Sequence, residues 1–355
     1  MSTYLLALPP QVFQTILEDP ALTPPPGITP KFDHPPNRNG LAYATAAVTV
    51  SLSSICFLFR LYSRLFCLKK VRFEDLLVLV AYGLATANTW ALSQLMRHPG
   101  YFVHQWDVRV KDLEPLLYAH FISTNFYLSS ILSIKAAIIL EWLRIFNPSG
   151  ERNTFFWLGY AILVLNTLFY ASAIFVENFT CFPQEKIWDK TIPGGCIDVS
   201  ENYIITAAFN VFSDIVILAL PQRVVWKLKM TTKRKISVSL VFAVGILTCI
   251  VAIIRVYSST EFVAAEDQVY ALSTVSLLAH IETHSSLLVI CIPAVPSVTS
   301  KIQLRSKLKG FFKCLSPCLP KRDCEVKSPS MDSLHAQDGS AGQDVPLSNG
   351  ARQCG

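Results

Sequence analysis

The chain has 355 residues, 52% of them hydrophobic and only 16% charged, with a formal net charge of +6. A soluble domain carries about a quarter charged residues, so this composition excludes an ordinary soluble enzyme. The basic residues gather in loops between apolar runs, which makes a bilayer surface a better partner for them than nucleic acid.

Residues 1–40 are proline-rich (Pro24-Pro25-Pro26, Pro35-Pro36) and free of cysteine. They are expected to form an extended outer tail. Met1–Pro10 lacks a basic n-region, so the first span is expected to direct its own insertion. Seven apolar stretches follow, at 41–59, 74–96, 116–140, 154–176, 201–221, 237–258 and 270–293, and together they make a membrane domain over 41–293. A hydrocarbon core of about 30 Å needs roughly 20 apolar residues in a helix. The runs lack the alternation of barrel strands, so the predicted fold is all-α, a seven-transmembrane helix bundle. Lys and Arg crowd alternate gaps: five between Arg60 and Arg72, six between Arg223 and Lys235, none between Ser259 and Val269. The positive-inside rule then predicts an outer N-terminus and a cytoplasmic C-terminus.

Cys181 and Cys196 share the loop between spans 4 and 5, on the predicted oxidising side. They read as a bridge capping an outer pocket, with two free thiols as the alternative. Asn178-Phe179-Thr180 on the same side is a glycosylation sequon. The basic loop 222–236 reads either as a docking site for a cytoplasmic signalling protein or as simple anchoring. Residues 294–318 mix Ile302, Leu304, Leu308 and Phe311 with five basic residues, the pattern of an amphipathic helix on the inner membrane face. Cys314 and Cys318 within it are candidates for palmitoylation or unmodified thiols. Residues 319–355 are polar and expected to be disordered.

Ionisable groups inside a span are costly and mark candidate sites. Lys135 in span 3 and Asp214 in span 5 lie at similar depth, with Asn210 one turn from Asp214 and Glu282 near the middle of span 7. These four are the predicted polar core, either a two-state latch or a static packing device. Arg255 is expected to snorkel to the outer headgroups. Glu74 and Asp75 are expected to meet Lys69, Lys70 or Arg72. His104, Trp106, His120 and Trp188 are placed at the mouth of an outer pocket for a small or apolar ligand.

His280 and His284, four apart, share a helix face, and Glu282 points elsewhere. The zinc-protease order of His directly followed by Glu is absent, so no metal or other cofactor is expected. The two histidines are expected to bond neighbouring helices. Span 7 holds no lysine, which argues against a retinal Schiff base.

Several strings together resemble the fungal rhodopsin-domain family of integral membrane proteins. They are Arg60-Leu61-Tyr62-Ser63-Arg64, Phe73-Glu74-Asp75-Leu76-Leu77, His104-Gln105-Trp106-Asp107-Val108, Ser133-Ile134-Lys135, Leu143-Arg144-Ile145-Phe146, Cys181, Ile192-Pro193-Gly194-Gly195-Cys196, Asn210, Asp214, Ile254-Arg255, Ile281-Glu282 and Cys291-Ile292-Pro293. The resemblance covers about residues 41–296. It implies a seven-helix protein, similar in topology to G-protein-coupled receptors, at the plasma membrane rather than an endomembrane. Some members are proposed surface sensors; others are encoded beside enzymes of secondary metabolism. The chain departs from the sensor subgroup in lacking its cysteine-rich outer domain. His280 and His284 are outside the family pattern. The Asp-Arg-Tyr and Asn-Pro-x-x-Tyr strings of receptors are also absent. The leading expectation is a sensor of a small or apolar cue without catalytic residues. The alternatives are a metabolite transporter or accessory protein, or a membrane-embedded cyclase or isomerase with Glu282 as acid and His280 or His284 as base.

Overall fold

A computed structural model of the chain describes residues 9–68, 72–97, 99–147, 152–198, 200–222 and 232–294. The amphipathic segment from residue 295, Cys314, Cys318, the tail 319–355 and residues 223–231 of the basic loop lie outside the described residues. Among the described residues, seven helices are long and apolar enough to cross a membrane.

The N-terminal tail is not extended throughout. Helix α1 (Pro10–Glu18) begins on Pro10, where a missing N–H costs nothing. The chain then runs beside the loop after span 2: Ala21 N donates to Val108 O at 2.8 Å and Val110 N to Asp19 O at 3.1 Å. Lys31 N donates to Asp107 Oδ1 at 2.8 Å. Glu18 bonds Lys111 and lies 3.4 Å from Arg109. The polyproline reading missed these polar groups as docking partners.

The spans follow as α2 (Asn39–Tyr62), α3 (Phe73–Arg97), α4 (Val110–Phe146), α5 (Thr154–Asn178), α6 (Ser200–Ala219), α7 (Thr232–Ala264) and α8 (Gln268–Cys291). Helix α2 runs into one π-helical turn, Ser63–Leu68. Helix α4 is longer than its apolar stretch at both ends, with Pro115 accommodated near its start. Two helices are capped by side chains from the residue before them. Asn153 accepts from Phe156 N and Asp267 from Tyr270 N, which satisfies otherwise orphaned donors. Between α5 and α6, β1 (Cys181–Phe182) pairs antiparallel with β2 (Gly195–Cys196).

Burial ranks the helices. About two thirds of the spanning stretch is buried in α4 and α8 (67% each), against 17–33% in the other five. Helices α4 and α8 are therefore the central pair, and α8 carries the polar residues His280, Glu282, Thr283 and His284 into the interior. The outer helices leave Leu58, Trp157, Leu168, Phe212, Ile250 and Ile253 exposed, an apolar surface that contacts the lipid bilayer. At the Arg60 end, Val78, Ala81, Ile134, Ala137, Leu143, Leu220 and Leu287 form the largest apolar cluster. Small residues allow close approach there: a methyl at Gly245 of α7 would lie 2.7 Å from Leu218 Cδ1 of α6.

Candidate functional site

Glu282, fully buried on α8, is the hub of the polar core. Its Oε2 accepts from Arg255 Nε of α7 at 2.7 Å. Its Oε1 accepts from Asn210 Nδ2 of α6 at 2.5 Å and from Tyr127 Oη of α4 at 3.2 Å. Asn210 continues the network, its Oδ1 accepting from Tyr170 Oη of α5 at 2.6 Å and its backbone O from Lys135 Nζ at 3.0 Å. Lys135 also bonds Ser213 and lies 2.8 Å from Asp214 Oδ1. The guanidinium of Arg255 sits 5.1 Å from the Tyr127 ring centre, and Lys135 Nζ sits 5.4 Å from that of Tyr170. Two cations and two carboxylates are thus neutralised within one chain of contacts from α4 to α8. Unpaired, any one of them would carry the full cost of a buried charge.

One expectation is corrected here. Arg255 does not snorkel: it is 5% exposed and points inward. A charged hydrogen bond to Glu282 and an aromatic face compete successfully with lipid headgroups. Asp75 pairs with Arg60 and Arg64 at 2.9 and 3.0 Å, and Arg72 forms an ion pair with neither it nor Glu74 among the described residues. Glu141 completes the square with the same arginines, each at 2.8 Å, and Glu74 faces Arg144 at 3.6 Å. Arg60 and Arg64 are four residues apart and share one side, so both reach the start of α3. Lys69 and Lys70 lie outside the described residues.

His280 and His284 face away from Glu282. The ring of His280 contacts Thr49 of α2 through Nε2 at 3.1 Å. His284 contacts Ser53 of α2 through Nδ1 at 2.8 Å and Thr89 of α3 through Nε2 at 3.3 Å. They are two residues from Glu282 in sequence but on the other side of α8, so the three do not form an acid–base set. Among the described residues no cluster of three or more His, Cys, Asp or Glu is placed to hold a metal.

The chain carries the Cys181–Cys196 disulfide, with the register of β1 and β2 placing the two cysteines opposite one another. Beneath that loop lies an outer cavity of about 320 Å³ lined by Leu113, Leu116, Leu117, Phe121 and Leu272, with Cys181, Cys196 and Lys190 above. Burial and the nearby Lys186 hold the Lys190 ammonium below its usual range. A second cavity of about 60 Å³ lies further in, lined by Asn88, Ser123, Tyr127, Arg255, Ser259 and Ser276. The two share His120, Glu177 and Tyr203. Arg255 and Tyr127 are members of both the inner cavity and the Glu282 network, so the two adjacent cavities lie between the disulfide and the polar core.

The four residues expected at the mouth separate. His120 lines both cavities. Trp188 packs on Tyr118 and on the lining residue Phe121, with ring centres 5.2 and 5.3 Å apart. His104 is stacked between Trp106 (4.2 Å) and Tyr270 (4.7 Å), with Nδ1 2.6 Å from Asp267. His104 and Trp106 therefore fasten their loop to the start of α8 and line neither cavity. Asn178 Nδ2, the atom a glycan would modify, donates to Asn125 Oδ1 at 2.6 Å and to Ile174 O at 2.8 Å.

Sequence reasoning missed Glu177, Tyr127 and Tyr170. The available signal for Glu177 was a carboxylate one position beyond the predicted end of span 4. The tyrosines gave none, because their role depends on which helix lies opposite.

The family described as "Fungal rhodopsin domain" matches residues 59–301. The chain is 36% identical over 299 residues to Fugralins biosynthesis cluster protein 2 of Gibberella zeae, covering 83% of this chain and 74% of that protein. It is 33% identical over 194 residues to a SAT4 family membrane protein of Emericella nidulans, covering 55% of this chain and 49% of that one. It is 22% identical over 246 residues to Receptor GIN3 of Arthrobotrys oligospora, covering 68% and 57%. No solved structure matches the chain.

Proposed function

This chain belongs to the fungal rhodopsin domain family, and we propose that it is a receptor-like sensor of a small, largely apolar metabolite. The observation that carries this reading is the pair of cavities, joined at His120, Glu177 and Tyr203, that runs from the disulfide to Arg255. In this reading the N-terminus and the disulfide loop face outward, as the distribution of basic residues asks. The ligand enters beneath the Cys181–Cys196 loop, its apolar body held by the leucines of the outer cavity. Contact at Arg255 shifts the balance of the Glu282–Asn210–Lys135–Asp214 chain, which ties α4, α6, α7 and α8 together. A ligand alters such an equilibrium only by binding one arrangement better than the other. The basic loop 222–236 is where a cytoplasmic partner would read the change. The plasma membrane is the setting this role requires.

A second reading is favoured by one finding: a relative matched over 83% of this chain is named for a biosynthesis cluster. Under it, the same cavities would hold an intermediate for an accessory or transport role in secondary metabolism. Metabolite profiling of a deletion strain beside its response to exuded metabolites tests both. An altered response with unchanged metabolite production is the expected result for a sensor. Loss of a product with an intact response overturns that reading in favour of the second. In the sensor case, Asp214→Asn is expected to change the response while surface expression persists. An unchanged response at normal expression would remove the polar core from signalling.

A further inference from the structure

Four residues that line the inner cavity, Arg255, Ser276, His120 and Glu177, carry polar groups with no hydrogen-bond or ion-pair partner among the described residues. Arg255 lines the cavity, is 5% exposed, and has its Nη2 buried and unpartnered. Ser276 Oγ and His120 Nδ1 are likewise buried and unpartnered. Glu177, 7% exposed at the neck between the cavities, makes no hydrogen bond or ion pair among the described residues. Buried polar atoms are nearly always satisfied, so three in the wall of one small cavity, with a carboxyl at its edge, call for an explanation.

Their chemistry is directional. Arg255 Nη2 can only donate, and the carboxyl of Glu177 can accept from a hydroxyl or N–H. Ser276 can do either. His120 Nε2 lies 3.4 Å from Thr124 Oγ1, leaving Nδ1 to donate or accept according to tautomer. A molecule satisfying all of them presents an acceptor oxygen at the depth of Arg255 and a hydroxyl or N–H at the neck. Charge narrows the class further. Arg255 is already matched by Glu282, and Glu177 has only Lys190, in the outer cavity, as a cation lining the same space. With Arg255 matched by Glu282 and Glu177 itself an acid, a carboxylate ligand would add a further negative charge to a buried site, whereas a neutral carbonyl adds none.

We infer that the inner cavity is the polar subsite for a neutral carbonyl compound (an amide, lactone or ketone) that accepts from Arg255 and Ser276 and donates a hydroxyl or N–H to Glu177. Its apolar body lies among Leu113, Leu116, Leu117 and Leu272. The cavity of about 60 Å³ admits a carbonyl and its immediate substituents, while the outer one of about 320 Å³ admits a medium-length chain or ring. This inference rests on the reading of the two cavities as a ligand site.

Three probes sharing an eight-carbon chain test it on the full-length protein in lipid nanodiscs, by displacement of the thermal unfolding transition with probe concentration. N-(2-hydroxyethyl)octanamide has both the carbonyl and the donor. Octanoate has an anionic carboxyl, and 2-(octyloxy)ethanol keeps the hydroxyl but replaces the amide with an ether. The hydroxyamide is expected to bind about tenfold more tightly than either other probe, because each of them leaves a buried group unsatisfied. Ser276→Ala and Glu177→Leu, which removes the acceptor, are expected to erase most of that advantage without preventing folding, since neither residue bonds another helix. No binding by any probe, equal binding by all three, or tighter binding of octanoate overturns the inference. Leu117→Trp, which fills the outer cavity, separates the two levels. If octanoate wins but its binding is lost in Leu117→Trp, the cavities remain a ligand site and only the neutral class fails. If binding of every probe is indifferent to Leu117→Trp, the cavity reading itself fails.

Discussion

At the scale of single residues, the interior of this bundle separates charge from hydrogen bonding. Glu282 is the counter-charge of Arg255, and both are almost wholly enclosed. Removing the charge by Glu282→Gln leaves Arg255 unpaired in a medium that cannot solvate it, at a cost of about 3 kcal/mol. Tyr170→Phe deletes one hydrogen bond to Asn210, at about 1 kcal/mol. Thermal unfolding of the purified variants should rank them in that order, with a clear gap. Equal transitions would mean that the Arg255–Glu282 contact stabilises the fold no more than an ordinary hydrogen bond. Lys135, Asp214, Asn210 and Glu282 were legible in the sequence because an ionisable or amide side chain stands out in an apolar run. Arg255 was visible but assigned to the headgroups, since a lateral position near a span end gives no hint of what the neighbouring helix offers. Only the fold brings Glu282 and Tyr127 within its reach.

At the scale of elements, the Arg60 end is closed by four charges drawn from three helices. Arg60 and Arg64 come from α2 and its π-helical extension, Asp75 from α3 and Glu141 from α4. Arg60 additionally donates to Ile290 O near the end of α8 at 2.5 Å, which brings a fourth helix under the same clamp. Each charge serves two partners, so a double-mutant cycle on Arg64→Met and Glu141→Leu should be strongly non-additive. Each single change is expected to cost about 3 kcal/mol, and the pair distinctly less than the sum. Glu74→Gln is the control: its partner Arg144 is 3.6 Å away and one-third exposed, so less than about 1 kcal/mol is expected. Additive behaviour in the cycle would reduce the clamp to independent surface pairs. The helices themselves were readable, because seven apolar runs of bilayer length leave little freedom. Their partners were not. The expected partners of Asp75 and Glu74 were basic residues adjacent in sequence, whereas the fold also brings Arg60 and Arg64 to Asp75 and Arg144 of α4 to Glu74.

At the scale of the whole molecule, the disulfide end is built from three segments distant in sequence. The tail around α1 lies along the loop after α3, that loop is fastened to α8 through His104 and Asp267, and the β1–β2 loop covers the outer cavity. The tail is held partly by Glu18, whose carboxyl its hydrogen bond with Lys111 keeps below the ordinary value of 4.5. A carboxylate with a depressed folded pKa stabilises docking above its free value and loses that contribution as pH falls through the lower folded value. Relative to its intrinsic, pH-dependent rate, hydrogen exchange in α1 should therefore be slow at neutral pH and quicken below about pH 4.5. In Glu18→Gln it should be fast already at pH 7, and the acid response should shrink. The covering loop makes a separate demand. Cys181 and Cys196 are 15 residues apart, and closing a loop of that size restricts the unfolded chain by about 3 kcal/mol. Reduction, or Cys181→Ser with Cys196→Ser, removes that restriction and also frees the roof over the outer cavity. Two consequences should separate. The unfolding transition falls in the absence of any ligand, and binding of N-(2-hydroxyethyl)octanamide weakens by more than the lost stability of the apo protein explains. The second effect follows from Cys181, Cys196, Ile197 and Lys190 sharing the cavity wall, so that a loosened roof must be ordered again by each ligand that enters. A bridge that matters only to the unfolded chain would lower the transition and leave affinity at temperatures below it unchanged.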